Sequence, residues 1–118
     1  MNLKEINNRL MYQDRLSVSR YTVTEEEDGS NKRVLTAVSE LSDIPCRLDI
    51  KRADDPELPE DVNQIKVTYT VFSNPEHVFR AGDHLIVTHQ GSTYELTAGN
   101  PILYLHHQEV PAIEEKLA

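Results

Sequence analysis

Apolar and polar residues alternate along much of the chain, a pattern that predicts β-strands with one buried face. Between Ile44 and Ile50 every second residue is apolar, and the same period recurs from Ile65 to Val71. Near Arg20 the apolar positions change parity, which suggests a β-bulge or a bend within the first strand. Further strands are predicted at residues 16–23, 85–89, 94–98 and 102–108.

Turns rich in glycine separate these strands. Asp28-Gly29 lies at the centre of a charged hairpin turn, and the segment from Val34 to Ser42 that follows fits either a strand or a helical turn. Glycine accepts positive φ and aspartate can bond to nearby backbone, so such residues suit tight turns between strands. The positions predicted to define turns are Gly82, Asp83, Gly91, Gly99 and Pro101.

A short amphipathic helix is predicted at residues 3–13, where Asn2 fits the N-cap position and Glu5 follows three residues later. A helix of this length needs a surface to dock on. No repeat or linker divides the chain, so residues 1–118 are expected to form one domain with a polar tail at 111–118. The fold class predicted is mainly β, a small barrel or sandwich of about six or seven antiparallel strands.

An acidic, proline-containing stretch runs from Arg52 to Gln64. Proline fixes φ and clustered carboxylates repel one another, so we expect an extended, mobile loop. The stretch lacks the ligand spacing of an EF-hand, which favours a solvated charge run or a functional moving loop over a calcium site. Its characteristic residues are Asp54, Asp55, Pro56, Glu57, Pro59, Glu60 and Asp61.

Charge argues against gripping nucleic acid through its phosphates. The 118 residues include 12 basic and 20 acidic side chains, for a net charge of −8, whereas phosphate binding needs a basic face. No apolar run is long enough for a transmembrane helix, and the N-terminal residues lack the apolar core of a secretory signal. The single cysteine, Cys46, excludes an internal disulfide.

Metal binding is not supported by the histidines. Adjacent strand residues point to opposite faces, so His106 and His107 are not expected to chelate one ion. His107 and Glu109 share a face, but two ligands are too few for zinc, and His84 and His89 have opposite parity. We therefore predict scattered surface or half-buried histidines, and no metal or cofactor.

Catalysis is not indicated either. Cys46 lies on the apolar parity of its strand and is expected to pack in the core, since nothing nearby in the sequence would activate a thiol. No P-loop, GxSxG or GxGxxG motif is present. Tyr69 and Tyr94 share parity with Val and Leu, which predicts core or interface positions rather than platforms for nucleic-acid bases.

The order of elements in the C-terminal half carries a family resemblance. "IPCRLDI" is followed by the long polar loop, then by "KVTYTVF" and by "HVFRAGDHLIVTHQGSTYELTAGNP". This succession resembles the head-completion proteins of long-tailed bacteriophages and prophages, also called head-closure, stopper or head–tail connector proteins. The resemblance covers roughly residues 16–108, and its motifs are hydrophobic alternation together with Gly82, Asp83, Gly91, Tyr94, Gly99 and Pro101.

The resemblance implies a structural protein of the virion, made in the bacterial cytoplasm and without catalytic residues. Such proteins form a homo-oligomeric ring, typically a dodecamer, below the portal and adaptor proteins. The ring retains packaged DNA, which it touches transiently and non-specifically, and it docks the tail through the tail-terminator protein; no membrane is involved. The family's gating element corresponds here to residues 52–64.

Three other interpretations stay open at this stage. A tail terminator or another tail connector component shares the small β-rich design. A ligand-binding β-barrel module would need a concave aromatic or basic patch. A small hydrolase would need a cleft with convergent titratable groups, for which the sequence gives no signal.

Overall fold

The computed structural model describes residues 11–54 and 65–115 of the chain. These residues form eight β-strands and one short 3-10 turn, Ser39–Leu41, with almost no other helical structure. The strands are β1 (Asp14–Glu25), β2 (Asn31–Ala37), β3 (Ile44–Asp54), β4 (Ile65–Ser73), β5 (His84–His89), β6 (Ser92–Ala98), β7 (Ile102–Leu103) and β8 (Gln108–Glu114). The predicted helix at residues 3–13 lies outside the described residues except for its last three.

Six of the strands close into an antiparallel barrel. Around the barrel the order is β1, β3, β4, β8, β6 and β5, and β5 pairs in turn with β1. The two remaining strands are additions, since β2 pairs with the distal half of β1 and β7 pairs with β8. Closure satisfies the backbone donors and acceptors that an open sheet leaves at its edges. The predicted mainly β fold with a small barrel is confirmed.

The barrel interior is filled by alternate residues of the six strands. Leu85, Val87 and Leu96 have no exposed surface, and Leu16 and Val18 are 1% exposed. Burial of one such side chain stabilises the fold by about 1.5–3 kcal/mol. The buried set also contains Leu41, Ile44, Cys46, Leu48, Tyr69, Val71, Phe79, Ala98, Val110 and Ala112. The strict period of two in β3, β4 and β5 therefore marks the core.

The ladders of β1 contain no β-bulge near Arg20, so the bulge offered as one explanation of the parity change is wrong. Its Cα partners run without interruption from Arg15 to Ser19 along β5 and from Ser19 to Glu25 along β2. The apparent change of parity has another cause. Arg20 takes the inward position that an apolar residue takes at Val18, while the tyrosine and valine that follow are exposed on the outer face.

The segment between the first two barrel strands contains both structures that its sequence suggested. β2 ends at Ala37, and the 3-10 turn begins at Ser39, with Leu41 buried at its end. β3 then starts at Ile44 and pairs with the first part of β1. β2 and β3 therefore follow the same side of β1 one after the other, with the turn looping out between them.

The last strand begins where the sequence predicted it to end. The chain pairs at Ile102–Leu103, turns, and then forms β8 from Gln108 to Glu114, so a continuous strand over 102–108 is wrong. A tail over residues 111–118 is also wrong in its first part, because Pro111 and Ala112 pair with β4. Proline is tolerated here because the ladder can skip its missing donor while its carbonyl accepts the Gly99 N–H at 2.7 Å.

The strand before the acidic segment is longer than predicted. β3 continues to Asp54, whose Cα partner is Ile65, so Arg52 is a strand residue rather than the first residue of a loop. The ladder continues past the proposed boundary because Lys51, Arg52 and Ala53 all find partners on β4.

In the described part of the chain, no helix is both long enough and apolar enough to cross a bilayer.

Candidate functional site

Most of the predicted acidic site lies outside the described residues. This applies to Asp55, Pro56, Glu57, Pro59, Glu60 and Asp61. Asp54 is placed as the final residue of β3, opposite Ile65 at the start of β4. Their pairing fixes where the segment 55–64 leaves the barrel and where it returns.

Two of the predicted turn glycines have the left-handed backbone that glycine favours. Gly82 has φ of +91° and Gly91 has φ of +81°. The Gly82 N–H donates to the Ala98 carbonyl at 2.8 Å, and the Ala98 N–H donates to the Asp83 carbonyl at 2.9 Å. These two bonds hold the turn before β5 against the end of β6. Gly99, which precedes Asn100 and Pro101, is instead packed against Pro111.

Asp83 does more than shape its turn. Its side chain, which is 2% exposed, forms a two-point ion pair with Arg20, at 2.8 Å from Nε to Oδ1 and 2.9 Å from Nη2 to Oδ2. Oδ2 also accepts the Arg80 N–H at 2.8 Å. Hydrogen bonding to Asp83 raises the pKa of Arg20 further. The pair ties the outer half of β1 to the turn before β5, a partnership across 63 residues that the sequence did not reveal.

Two histidines are paired with carboxylates. His84 Nδ1 donates to Glu115 Oε1 at 2.7 Å, and His89 Nδ1 donates to Asp14 Oδ2 at 2.8 Å. The bond from His84 lowers the pKa of Glu115. Each pair links strands that are distant in sequence. Across residues 11–54 and 65–115, no three side chains of the His, Cys, Asp and Glu types are grouped as metal ligands would be.

Cys46 is a core residue, as predicted. It has no exposed surface, and burial together with the nearby Asp14 raises its pKa to about 12. A thiol with so high a pKa is almost entirely protonated at neutral pH and is therefore a poor nucleophile.

The prediction that Tyr69 and Tyr94 take core or interface positions is confirmed as well. Tyr69 is buried and Tyr94 packs against the core, with the two ring centroids 6.1 Å apart.

The distal half of β1 and all of β2 form a two-stranded arm, residues 20–37, that leaves the barrel. Every residue of β2 is exposed, and so are Tyr21 and Val23 on β1. The register places Tyr21 opposite Leu35 and Val23 opposite Arg33, so these four side chains share one face. The Arg33 guanidinium lies 4.3 Å from the centre of the Tyr21 ring. This apolar face continues the outer surface of the barrel.

A groove of about 740 Å³ lies beside the root of this arm. Strand pairing explains part of it, because Thr97 on β6 and Ile113 on β8 are partners, and both alternate with core residues and so lie on the outer face. Tyr21 and Ile113 are exposed apolar residues of its lining. The described lining residues are Tyr21, Val67, Tyr69, Thr97, Ile113, Glu114 and Glu115. We call this the acidic groove.

A second apolar surface lies at the opposite end of β8. Four consecutive residues, Ile102, Leu103, Tyr104 and Leu105, are 50%, 67%, 47% and 84% exposed. The Tyr104 ring stacks on His107 at 4.5 Å between centroids, and the Tyr104 N–H donates to the His107 carbonyl at 2.9 Å. These contacts hold the segment Ile102–Leu105, which we call the apolar knob, in a defined turn on the barrel surface.

These features define a class of fold: a closed six-stranded antiparallel barrel with an exposed two-stranded arm and two exposed apolar surfaces. One solved structure that shares this fold is the protein xkdH of the phage-like element PBSX from Bacillus subtilis. The two are 14% identical, with a TM-score of 0.52, and the alignment covers 89% of this chain and 96% of that one. No protein-family model matches the chain, and no curated protein matches it by sequence.

Proposed function

We propose that this protein is a structural component of a phage or prophage particle that acts at the junction between head and tail. In this proposal it forms a ring below the portal and adaptor proteins, retains packaged DNA and docks the tail. It works by shape and multiplicity, without a catalytic step. Its place of action is the virion, after synthesis in the bacterial host.

The observation that carries the proposal is the likeness of fold to a protein of a phage-like element over nearly the full length of both chains. It agrees with the independent resemblance of the sequence to head-completion proteins, which rests on the strand order and on turn residues such as Gly82 and Asp83. The fold likeness supports a phage or prophage structural protein, and the sequence resemblance supports the head–tail junction within that class.

The described surface supports an assembling rather than a catalytic role. The arm and the apolar knob expose apolar side chains whose burial would be favourable. Contiguous exposed apolar patches of this kind usually mark interaction sites. The net charge of −8 suits a DNA conduit, since like charges keep DNA from adhering while it slides. The acidic segment between β3 and β4, residues 55–64, is the part of the predicted 52–64 loop that we propose as the gating element.

Electron microscopy of particles made without this protein tests the proposal. We expect heads that fill with DNA, then lose it, and carry no tails. Virions that seal and mature normally would contradict the proposal. Stable full heads that carry tails of irregular length would contradict it as well, and would assign the protein to tail termination instead.

A further inference from the structure

Exposure of the apolar knob to water is energetically unfavourable. Leu103 and Leu105 are 67% and 84% exposed, and they lie within an unbroken run of four apolar residues. Single exposed apolar residues are common on protein surfaces, but such runs are rare outside binding sites. The stack of Tyr104 on His107 presents the run as a shaped protrusion rather than a frayed end. A partner surface for it should be concave and partly apolar.

The acidic groove has that shape and composition. Its described apolar lining includes Tyr21, Val67 and Ile113, which are 47%, 38% and 69% exposed. A groove of about 740 Å³ has room for several side chains of the size of leucine. Both surfaces would therefore remove apolar area from water if they met.

The polar groups at the two surfaces are also complementary. Glu114 and Glu115 line the groove, and no basic side chain is among its described lining residues, since Arg33 stacks on Tyr21 without lining the groove itself. The segment 102–107 contains no carboxylate, and its two histidines carry ring N–H donors. His106 is exposed beside the knob. Docking would thus place donors near carboxylates and would not bring like charges together.

One chain cannot make this contact with itself. The knob adjoins the start of β8, where Leu103 pairs with Gln108, and the groove lies at the end of the same strand, at Ile113 and Glu114. Five residues of extended strand separate the two by about 17 Å along a rigid element. The knob of one copy can therefore fill only the groove of another copy. Two copies can do this reciprocally in a closed two-fold dimer, whereas repetition of the contact from head to tail is the arrangement that generates rings.

We propose that the apolar knob of one copy of this chain occupies the acidic groove of the next copy. The proposal deepens the proposed function, because it names the surfaces through which the ring would form. The occupant is a second copy rather than a different protein because one chain carries both a protruding and a concave apolar surface, and the ring N–H donors beside the first suit the carboxylates of the second.

Disulfide trapping with the purified full chain tests the contact. Leu103→Cys and Ile113→Cys place one exposed thiol each on the knob and in the groove, and the native Cys46 is too deeply buried to compete. The two variants are mixed at about 1 mM, where weak contacts are populated, and oxidised. We expect a mixed disulfide between positions 103 and 113 of different copies, and a ladder of oligomers from the doubly substituted chain.

Val78→Cys is the matched control, because Val78 is 68% exposed but lies in neither surface. The mixed disulfide of Leu103→Cys with Ile113→Cys should form about tenfold faster than that of Val78→Cys with Ile113→Cys. Equal rates would overturn the proposal. So would a predominance of 103–103 or 113–113 disulfides, or closed dimers without higher oligomers from the doubly substituted chain, since either result would indicate a two-fold dimer.

The outcome is separable from that of the particle experiment. If the trapped contact forms but particles lacking the protein seal normally, the head–tail function fails and the self-contact stands. If those particles leak DNA and the 103–113 disulfide does not form, the function stands and the knob-in-groove contact fails.

Discussion

The guanidinium of Arg20 and the carboxylate of Asp83 form a partly buried two-point ion pair that fixes where the arm leaves the barrel. Both contacts are 2.9 Å or shorter, and Asp83 is 2% exposed at its side chain. Beyond Ser19, β1 has no partner on the β5 side in the described part of the chain, because β5 starts at His84. The ion pair therefore secures the strand at the point where one of its two ladders stops.

Removing the carboxylate from this pair should destabilise the barrel strongly. Asp83→Asn leaves the guanidinium without its charge partner in a partly buried site, and we expect a loss of about 2 kcal/mol in the free energy of unfolding. Urea denaturation measures it. Arg33→Met is the control, since Arg33 stacks on Tyr21 at the exposed arm and should cost less than about 1 kcal/mol. Equal losses in the two variants would contradict the interpretation.

The turn that presents Asp83 sets a second test. Gly82 has φ of +91°, and a Cβ built there would meet nothing within 4 Å. Gly82→Ala should therefore cost only the strain of a left-handed backbone, about 1–2 kcal/mol in the free energy of unfolding. Gly82→Asn should recover part of that loss, because asparagine tolerates this conformation better. A larger loss with asparagine than with alanine would point to a packing defect instead.

Strict alternation made most of the barrel predictable from sequence. β3, β4 and β5 bury one face in the core and leave the other face partly or fully accessible, so the period of two survives in their residues. β8 was missed because its apolar face consists only of Val110 and Ala112, with Pro111 between them and polar residues on either side. β8 finds its partners only when the barrel closes, and its own sequence therefore shows little alternation of apolar and polar residues.

The candidate site was harder to predict for a different reason. Arg20 looked like a break in the pattern because its partner is 63 residues away. The run Ile102–Leu105 was predicted only as part of a strand, since a sequence shows that residues are apolar but not that the fold leaves them exposed. The acidic groove joins residues of β1, β4, β6 and β8, and only the closed topology brings these together.

Glu115 should contribute to stability in a pH-dependent way. Its bond from His84 lowers its pKa from the ordinary 4.5 in the folded state. A carboxyl with a depressed folded pKa stabilises the fold above its unfolded pKa, and that contribution is lost as the pH falls through the folded value. Because Glu115 is partly exposed, the contribution should be below about 1 kcal/mol.

Urea denaturation over a pH series measures this contribution. From about pH 7 to pH 3, the unfolding midpoint of Glu115→Gln should fall less than that of the unaltered chain. Glu95→Gln is the control, because Glu95 is exposed on β6 and none of the side-chain hydrogen bonds of the described residues involves it. If the unfolding midpoint of Glu115→Gln falls as far over this pH range as that of the unaltered chain, the His84 contact does not stabilise the fold.

The thiol of Cys46 should react only when the barrel opens. Its burial and its pKa of about 12 leave almost no accessible thiolate. With a disulfide reagent at about pH 8, labelling of the native chain should follow the rate of global unfolding, and urea should accelerate it. The added thiol of Val78→Cys should label at once. Fast labelling of Cys46 without denaturant would reveal local opening of β3.

Shortening the acidic segment should separate folding from DNA retention. The Cα atoms of Asp54 and Ile65 are strand partners, so Asn-Gly in place of residues 55–64 closes the hairpin with a favoured two-residue turn. The free energy of unfolding should change by less than about 1 kcal/mol, since loop length affects closure entropy only weakly. Particles carrying this variant should assemble and attach tails but leak DNA.

The same replacement of residues 26–30, between the paired Glu25 and Asn31, removes a comparable acidic tip from the arm and should leave DNA retained. Unfolding of the first variant, or equal DNA retention by both, would remove residues 55–64 from the gating role.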